Sequence, residues 1–315
     1  MGLAILMLFT PLQNGGGVAC QQLTPSLAAA QEQTVPSLEF EAIQQLIEEG
    51  KTRSEIPLKH RVNYFYTKDD LTYAPLIFEA KGADISFGKE NGGNKALLKA
   101  FGTVRSPEGE IVVPYFYLPM QLSLTNPELE RFQQGSWTWS VSLFIPPGKY
   151  NLYFGLRNEV DNKVTTVMKP IEVPDFSQDK LLVSDIILAK QLVRKTDAML
   201  EANTIYDGIS FGSTAYQINF DNQFKAEDQI EFVFLVFGAG TDSQTQKPSL
   251  KVDYTIKKEG ASIGQFPLQY QMTTVSQPLP LKLFTLTPGS YIFEILITDL
   301  ITQATTTKSV SFVII

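Results

Sequence analysis

In 315 residues the chain has one cysteine and one histidine, and each scarcity removes a class of chemistry. With Cys20 alone, no intrachain disulfide can form and no cysteine-based metal site can be assembled. With His60 alone, Ser-His-Asp and Cys-His catalysis are almost entirely removed, because each needs an imidazole beside the nucleophile and only one position could supply it. Lys and Arg number 26 against 33 Asp and Glu, for a net charge of -7 with no basic run. A phosphate backbone is repelled on average, so nucleic acid is not an expected partner. The expectation is a protein without enzymatic activity, cofactor or metal.

What is present begins with "MGLAILMLFTPLQNGGGVACQQ". The apolar run Leu3 to Leu12 is too short for a bilayer but has the length of a signal-peptide core, although basic residues before it are missing. "GVAC" (Gly17 to Cys20) resembles a bacterial lipoprotein cleavage box with Gly17 where Leu is preferred, which makes Cys20 a candidate lipidation site and lipid anchor. The expected location is exported: periplasm, outer-membrane lipoprotein or cell surface. Residues 1–37 read as a signal-like leader and a flexible Gln/Gly/Ala/Ser/Thr-rich tether. Residues 38–55 read as a short helix and connector, with Ser37 as N-cap, Ile43, Leu46 and Ile47 on one face, and Gly50 as the stop.

From Ile56 the period becomes two. "SWTWSVSL" places Trp137, Trp139, Val141 and Leu143 on one face and Ser136, Thr138, Ser140 and Ser142 on the other, as a half-buried antiparallel strand would. "FIPPGKYNLYFGL" (Phe144 to Leu156) is echoed by "TLTPGSYIFEILI" (Thr285 to Ile297) without a gap at an offset of 141 residues. Leu152, Phe154 and Leu156 then meet Phe293, Ile295 and Ile297, two copies of one buried strand face. "DISFG" (Asp84 to Gly88) against "GISFG" (Gly208 to Gly212) is a looser echo. Short strands, frequent turns and no long helix after Gly50 predict an all-β chain of two tandem immunoglobulin-like β-sandwiches, 56–176 and 177–315. Tyr150 and Tyr291, each just after a tight turn, resemble the tyrosine corner of such sandwiches, whose hydroxyl bonds back to the backbone.

The Pro-Gly-x-Tyr pattern near a domain end, followed by "VPDFSQDKLLVSDIILA" (Val173 to Ala189) leading into a second copy, resembles the C-terminal β-domains of von Willebrand factor A-related proteins of Acidobacteria and of GWxTD-motif proteins. "EIPLKHRVNYFY" and "TYAPLIFEAKGADISF" resemble the entry of the first such domain. The resemblance covers about Ile56 to Ile315 and implies an exported bacterial envelope protein. It does not extend to the A domain's metal motif "DxSxS" or to "GWxTD", neither of which occurs, so no metal site is carried over.

Several residues invite a functional reading beside a plainer one. His60, on a strand with Val62, reads more simply as a satisfied side chain. Tyr115, Tyr117 and the tryptophans could form a sugar-stacking platform, though alternation places both tryptophans in the core. Asp69, Asp70, Glu159, Asp161, Glu227, Asp228 and Asp299 could pair for glycoside hydrolysis, against a default of solvated turn residues. "NEVDNK" has the oxygens of a weak calcium site but reads as a hairpin turn. "GAGTDSQTQKPS" (Gly238 to Ser249) is the main loop expansion of the second domain, and Gly240, Thr241, Asp242 and Ser243 are the candidate interaction loop, with a simple flexible insertion as the plainer reading. The function expected is an interaction or scaffolding module with a protein or envelope component as partner. The alternatives are a carbohydrate-binding protein and a carboxylate-based hydrolase.

Overall fold

The computed structural model describes residues 20–21, 38–66, 71–176, 180–194, 209–211, 214–270, 276–281 and 286–315. The remainder of the leader and tether, together with Asp69 and Asp70, lies outside them. The chain divides into two compact units. One gathers Met1–Val62, Ala74–Pro174 and Arg194–Ala215; the other gathers Asn63–Tyr73, Asp175–Val193 and Tyr216–Ile315. Each is a β-sandwich, so the chain is an all-β protein of two immunoglobulin-like modules with one short helix ahead of them. None of its described helices is long and apolar enough to cross a membrane.

In the first module, one sheet runs in the order Cys20–Gln21, Ile111–Leu124, Gly93–Arg105, Gly148–Asn158 and Val164–Val173, and Gly88–Glu90 pairs with Gly93–Arg105. The other sheet holds Lys59–Val62, Leu76–Lys81 and Ser136–Val141. Phe78 stacks on Trp139 at 5.0 Å and meets Phe154 edge-on at 5.3 Å, which ties the two inner faces together. The tryptophans, 5% and 7% exposed, stack on each other at 4.2 Å. The leading helix, Leu38–Glu49, buries Ala42, Ile43 and Leu46 against Phe101 and Val164, with Ile47 packed beside them. These are the i, i+3 and i+4 positions of one stripe.

In the second module, one sheet runs Gln223–Phe224, Thr305–Ile314, Gly289–Asp299, Leu250–Lys258 and Ala261–Tyr270. In the other, Ile230–Phe237 pairs with Leu182–Val183, Ile187–Arg194 and Ser276–Leu281. Their inner faces share one core in which Phe232 stacks on Phe293 at 3.9 Å.

The two echoed segments form the same hairpin. Gly148 pairs with Val173 and Arg157 with Val164; Gly289 pairs with Ile314 and Thr298 with Thr305. Every partner is displaced by the same 141 positions. The backbone repeats too: Gly148 and Gly289 have φ of 149° and 148°, and Asn162 and Gln303 have φ of 59° and 61°. The turn therefore demands left-handed backbone at both places whatever the side chain.

Some expectations need correction. The strands are not uniformly short: Gly93–Arg105 has 13 residues and Ile111–Leu124 has 14. The polar face of "SWTWSVSL" is not solvated throughout, because Thr138 and Ser142 are buried. Asp84 ends a 3-10 turn whereas Ile209–Phe211 is a strand, so the looser echo is not structural. A second helix, Asn126–Gln134, buries none of its residues and so shows no apolar stripe. Its sequence signal is the Thr125/Glu128 pair, in which the Glu128 carboxylate accepts the Thr125 N–H at 2.8 Å and its hydroxyl at 2.7 Å.

Candidate functional site

The second module's most elaborate end is built around Asp299, the last residue of its hairpin's first strand. A carboxylate at a turn is ordinarily solvated, but Asp299 is 0% exposed, contrary to the sequence expectation. The reason is its hydrogen bonding. One oxygen accepts the N–H groups of Ile301 and Thr302, at 2.9 and 3.3 Å. The other accepts the Gly240 N–H and the Thr302 hydroxyl, both at 2.7 Å. Burial pushes the carboxyl pKa up, but the Gly240 N–H, the Thr302 hydroxyl and the two turn amides outweigh it and hold the pKa below the usual value.

The first module does the same job with an amide. Asn158, at the equivalent position, accepts the Val160 N–H at 2.9 Å through its oxygen and donates from its nitrogen to the Ser86 carbonyl at 3.0 Å. The neighbouring loop offers a carbonyl in one module and an N–H in the other, which accounts for Asn at one site and Asp at the other.

Asp299 thereby anchors the candidate loop, Gly238 to Ser249. Thr241 bridges to Pro248, the Asp242 N–H donates to the Lys247 carbonyl at 2.9 Å, and Gln246 returns a bond to the Asp242 carbonyl at 2.8 Å. The Asp242 carboxylate accepts the Thr245 N–H at 2.8 Å, the Thr245 hydroxyl at 3.0 Å and the Gln244 N–H at 3.1 Å; these bonds lower its pKa and outweigh the small opposing effect of burial. The loop is an internally bonded hairpin rather than a loose insertion. Thr241, Ser243 and Gln244 to Lys247 are exposed on it. Beside it the turn exposes Leu300 at 42% and Ile301 at 40%, and Gly240 lies close enough that an added Cβ would meet Thr302 and Ile301. The arrangement offers a polar rim around a small apolar knob and no grouped acid, base or nucleophile.

The other candidates lie apart. His60 packs edge-on against Phe154 at 5.0 Å; burial lowers its pKa, the Lys169 charge adds to that, and a backbone hydrogen bond with Leu58 opposes both. The tryptophans are buried, and Tyr115 is half-buried against Phe40 at 5.8 Å. Tyr117 is exposed, but the Lys99 ammonium lies 5.6 Å over its ring. Asp161 accepts from the Ser86 hydroxyl at 2.6 Å and pairs with Lys163 at 2.9 Å, and Asp228 accepts the Lys225 N–H at 2.8 Å. Tyr150 Oη donates to the Pro147 carbonyl at 3.1 Å and Tyr291 Oη to that of Thr287 at 2.7 Å. Cys20 pairs through its backbone with Leu122.

Sequence reasoning missed one cluster. Glu39, 1% exposed on the leading helix, bonds to Arg157 at 2.7 Å and lies 3.6 Å from Lys99, which also pairs with Glu159. Among the described residues no three His, Cys, Asp or Glu side chains form a metal-binding group.

No protein-family model matches the chain, and no curated protein matches it. Among solved structures it is similar to the fibronectin(III)-like modules of CbhA from Clostridium thermocellum, at 12% identity over 76% of this chain and 85% of that one, TM-score 0.19. It is also similar to the β-glucuronidase of Parabacteroides merdae, at 11% identity over 98% of this chain but only 35% of that one, TM-score 0.26. The C-terminal domain of the antigen I/II-family protein AspA of Streptococcus pyogenes matches at 6% identity over 82% and 99%, TM-score 0.19. These similarities carry no argument about site or activity.

Proposed function

We propose that the chain is a non-enzymatic, exported envelope protein whose two sandwiches act as an interaction or scaffolding module for a protein or envelope component. The observation that carries this reading is the end of the second module. A buried carboxylate is spent on holding a polar hairpin beside exposed Leu300 and Ile301, which suits a rigid recognition surface rather than a reaction centre. The leader's apolar core and the order of motifs resembling the von Willebrand factor A-related β-domains support the envelope location. Cys20 is the position at which a lipid would attach.

The test is affinity purification from the native envelope with tagged wild type beside a Leu300→Ser/Ile301→Ser double variant. The expected result is an envelope-fractionating protein that retains a defined partner, with the variant still folded but losing it. Equal retention by the variant removes the surface from the reading, and wild-type protein recovered only from the cytosol removes the location.

A further inference from the structure

The two hairpins end in equivalent strands, Val164–Val173 and Thr305–Ile314; the first is the last strand of its sheet, the second is covered only at Val313 and Ile314 by Gln223–Phe224, and the remaining edges are treated differently. An open edge displays unpaired N–H and C=O groups that invite another strand. In the first module this edge is closed twice. Near its start an extended segment of the same chain lies antiparallel to it, with Ser54 opposite Thr165. The Arg53 N–H donates to the Thr166 hydroxyl at 3.0 Å, and the Thr166 N–H donates back to the Arg53 carbonyl at 2.9 Å. The Thr165 hydroxyl accepts the Ile56 N–H at 2.8 Å and donates to the Ile56 carbonyl at 2.7 Å. The Glu55 carboxylate accepts the Val164 N–H at 2.7 Å. Farther along, Pro170 stands where the next outward N–H but one would be, and it has none to offer.

In the second module the same parity directs the backbone groups of Thr305, Thr307, Ser309, Ser311 and Val313 outward. The far end is occupied: the Ser311 carbonyl accepts from the Asn222 side chain at 3.0 Å, and the Val313 N–H donates to the Asn222 carbonyl at 2.9 Å. Among the described residues none pairs on that side with Thr305, Thr307 or Ser309. Exposure agrees, since Val164, Thr165 and Thr166 are buried whereas Thr305 and Thr307 are exposed and Thr306 is half-buried. Yet Thr306 and Thr307 repeat the two hydroxyls that hold the segment in the first module.

We infer that Thr305 to Ser309 is an acceptor edge for an extended, carboxylate-bearing segment of a partner polypeptide, which adds as an antiparallel strand in the manner of Arg53 to Ile56. The first module supplies the occupant's chemistry: a backbone exchanging bonds with Thr307, main-chain groups meeting the Thr306 hydroxyl, and a Glu whose carboxylate takes the Thr305 N–H. A second copy pairing strand to strand is disfavoured, because a two-fold axis at Lys308 would set the two Lys308 side chains directly opposite each other and one at Thr307 would set them diagonally on the same face. The inference deepens the interaction-module reading by naming a class of partner. Its test uses purified protein, so its failure is distinct from a failure of export or of partner retention at Leu300 and Ile301.

The probe is a synthetic peptide of residues 51–58, KTRSEIPL, added to the full chain and followed by hydrogen exchange with mass spectrometry. The Thr305, Thr307 and Ser309 amides should exchange fast in the free protein and slow when peptide is added. A peptide carrying E55A should bind about tenfold more weakly, as loss of one charge-assisted hydrogen bond requires. T307P should abolish the protection without lowering the melting temperature, because that N–H faces away from the Gly289–Asp299 strand and Pro170 shows the edge accepts the ring. Slow exchange of these amides in the free protein, protection confined to Val164 to Thr166, or equal binding by T307P would each overturn the inference. Concentration-dependent dimerisation that T307P abolishes would assign the edge to a second copy instead and overturn it equally.

Discussion

Exchanging Asn158 and Asp299 tests whether the two modules were matched to their loops atom by atom. Asp299→Asn keeps an oxygen for the Ile301 and Thr302 amides but turns an NH2 toward the Gly240 N–H, so two donors face each other. Asn158→Asp turns an oxygen toward the Ser86 carbonyl, so two acceptors face each other. A buried donor left without a partner costs about 1 to 3 kcal/mol, so Asp299→Asn should destabilise the second module by about that much. Asp299→Ala strands three N–H groups and the Thr302 hydroxyl, some within reach of water, for about 2 to 4 kcal/mol. For a module of about 130 residues that is a fall of about 7 to 15 °C in Tm. The assay separates the modules because both tryptophans of the chain belong to the first. Asn158→Asp should lower the fluorescence-detected melt. Either Asp299 variant should leave that melt in place and shift only the remaining circular-dichroism transition. If Asn158→Asp and Asp299→Asn both melt like wild type, the hydrogen-bond polarity of the loops does not matter and the account of this end of the module fails.

The hairpin was legible in the sequence because its constraints are local. A Pro-Gly turn, a Tyr two residues later and an alternating strand are fixed by backbone geometry and burial, so both copies wrote them in the same residues. Asp299 was not legible, since an Asp at a strand end reads as solvated until the distant Gly240 N–H is brought to it. Only the 141-residue offset hints at it, by aligning it with Asn158. The buried Glu39 was hidden for a related reason: on the helix it reads as a favourable first-turn acid, and only the fold supplies Arg157 and Lys99. The edge difference was also invisible, because Thr165 and Thr306 are the same residue and differ only in what lies beside them.

The corner tyrosines should separate in energy. Tyr291, buried with Phe312 stacked at 5.3 Å, should cost about 3 to 5 kcal/mol as Ala and about 0.5 to 1.5 kcal/mol as Phe, measured by denaturant unfolding. Tyr150 is only half-buried and should cost distinctly less as Ala; equal costs would contradict that difference in burial. Asp299 gives the second module an acid dependence. Its folded pKa is lowered, so its contribution is present above the unfolded value near 3.9 and is lost as pH falls through the folded one. Asp299→Asn should flatten that fall, and an unchanged slope would refute the assignment. His60 gives the first module a dependence nearer neutrality. Burial, with Lys169 second, makes the folded state favour the neutral ring, so the stability it contributes is present above the unfolded value near 6.5 and declines as pH falls through the lower folded value. The groups facing it are Lys169 by charge and Phe154 by contact. His60→Gln should therefore remove the decline in the tryptophan-detected midpoint between about pH 7 and pH 5, while Lys169→Met should move it to lower stability loss without removing it. A wild-type midpoint flat across that interval, or one that falls equally in His60→Gln, would mean that the imidazole is solvated and that its place against Phe154 does not control its protonation.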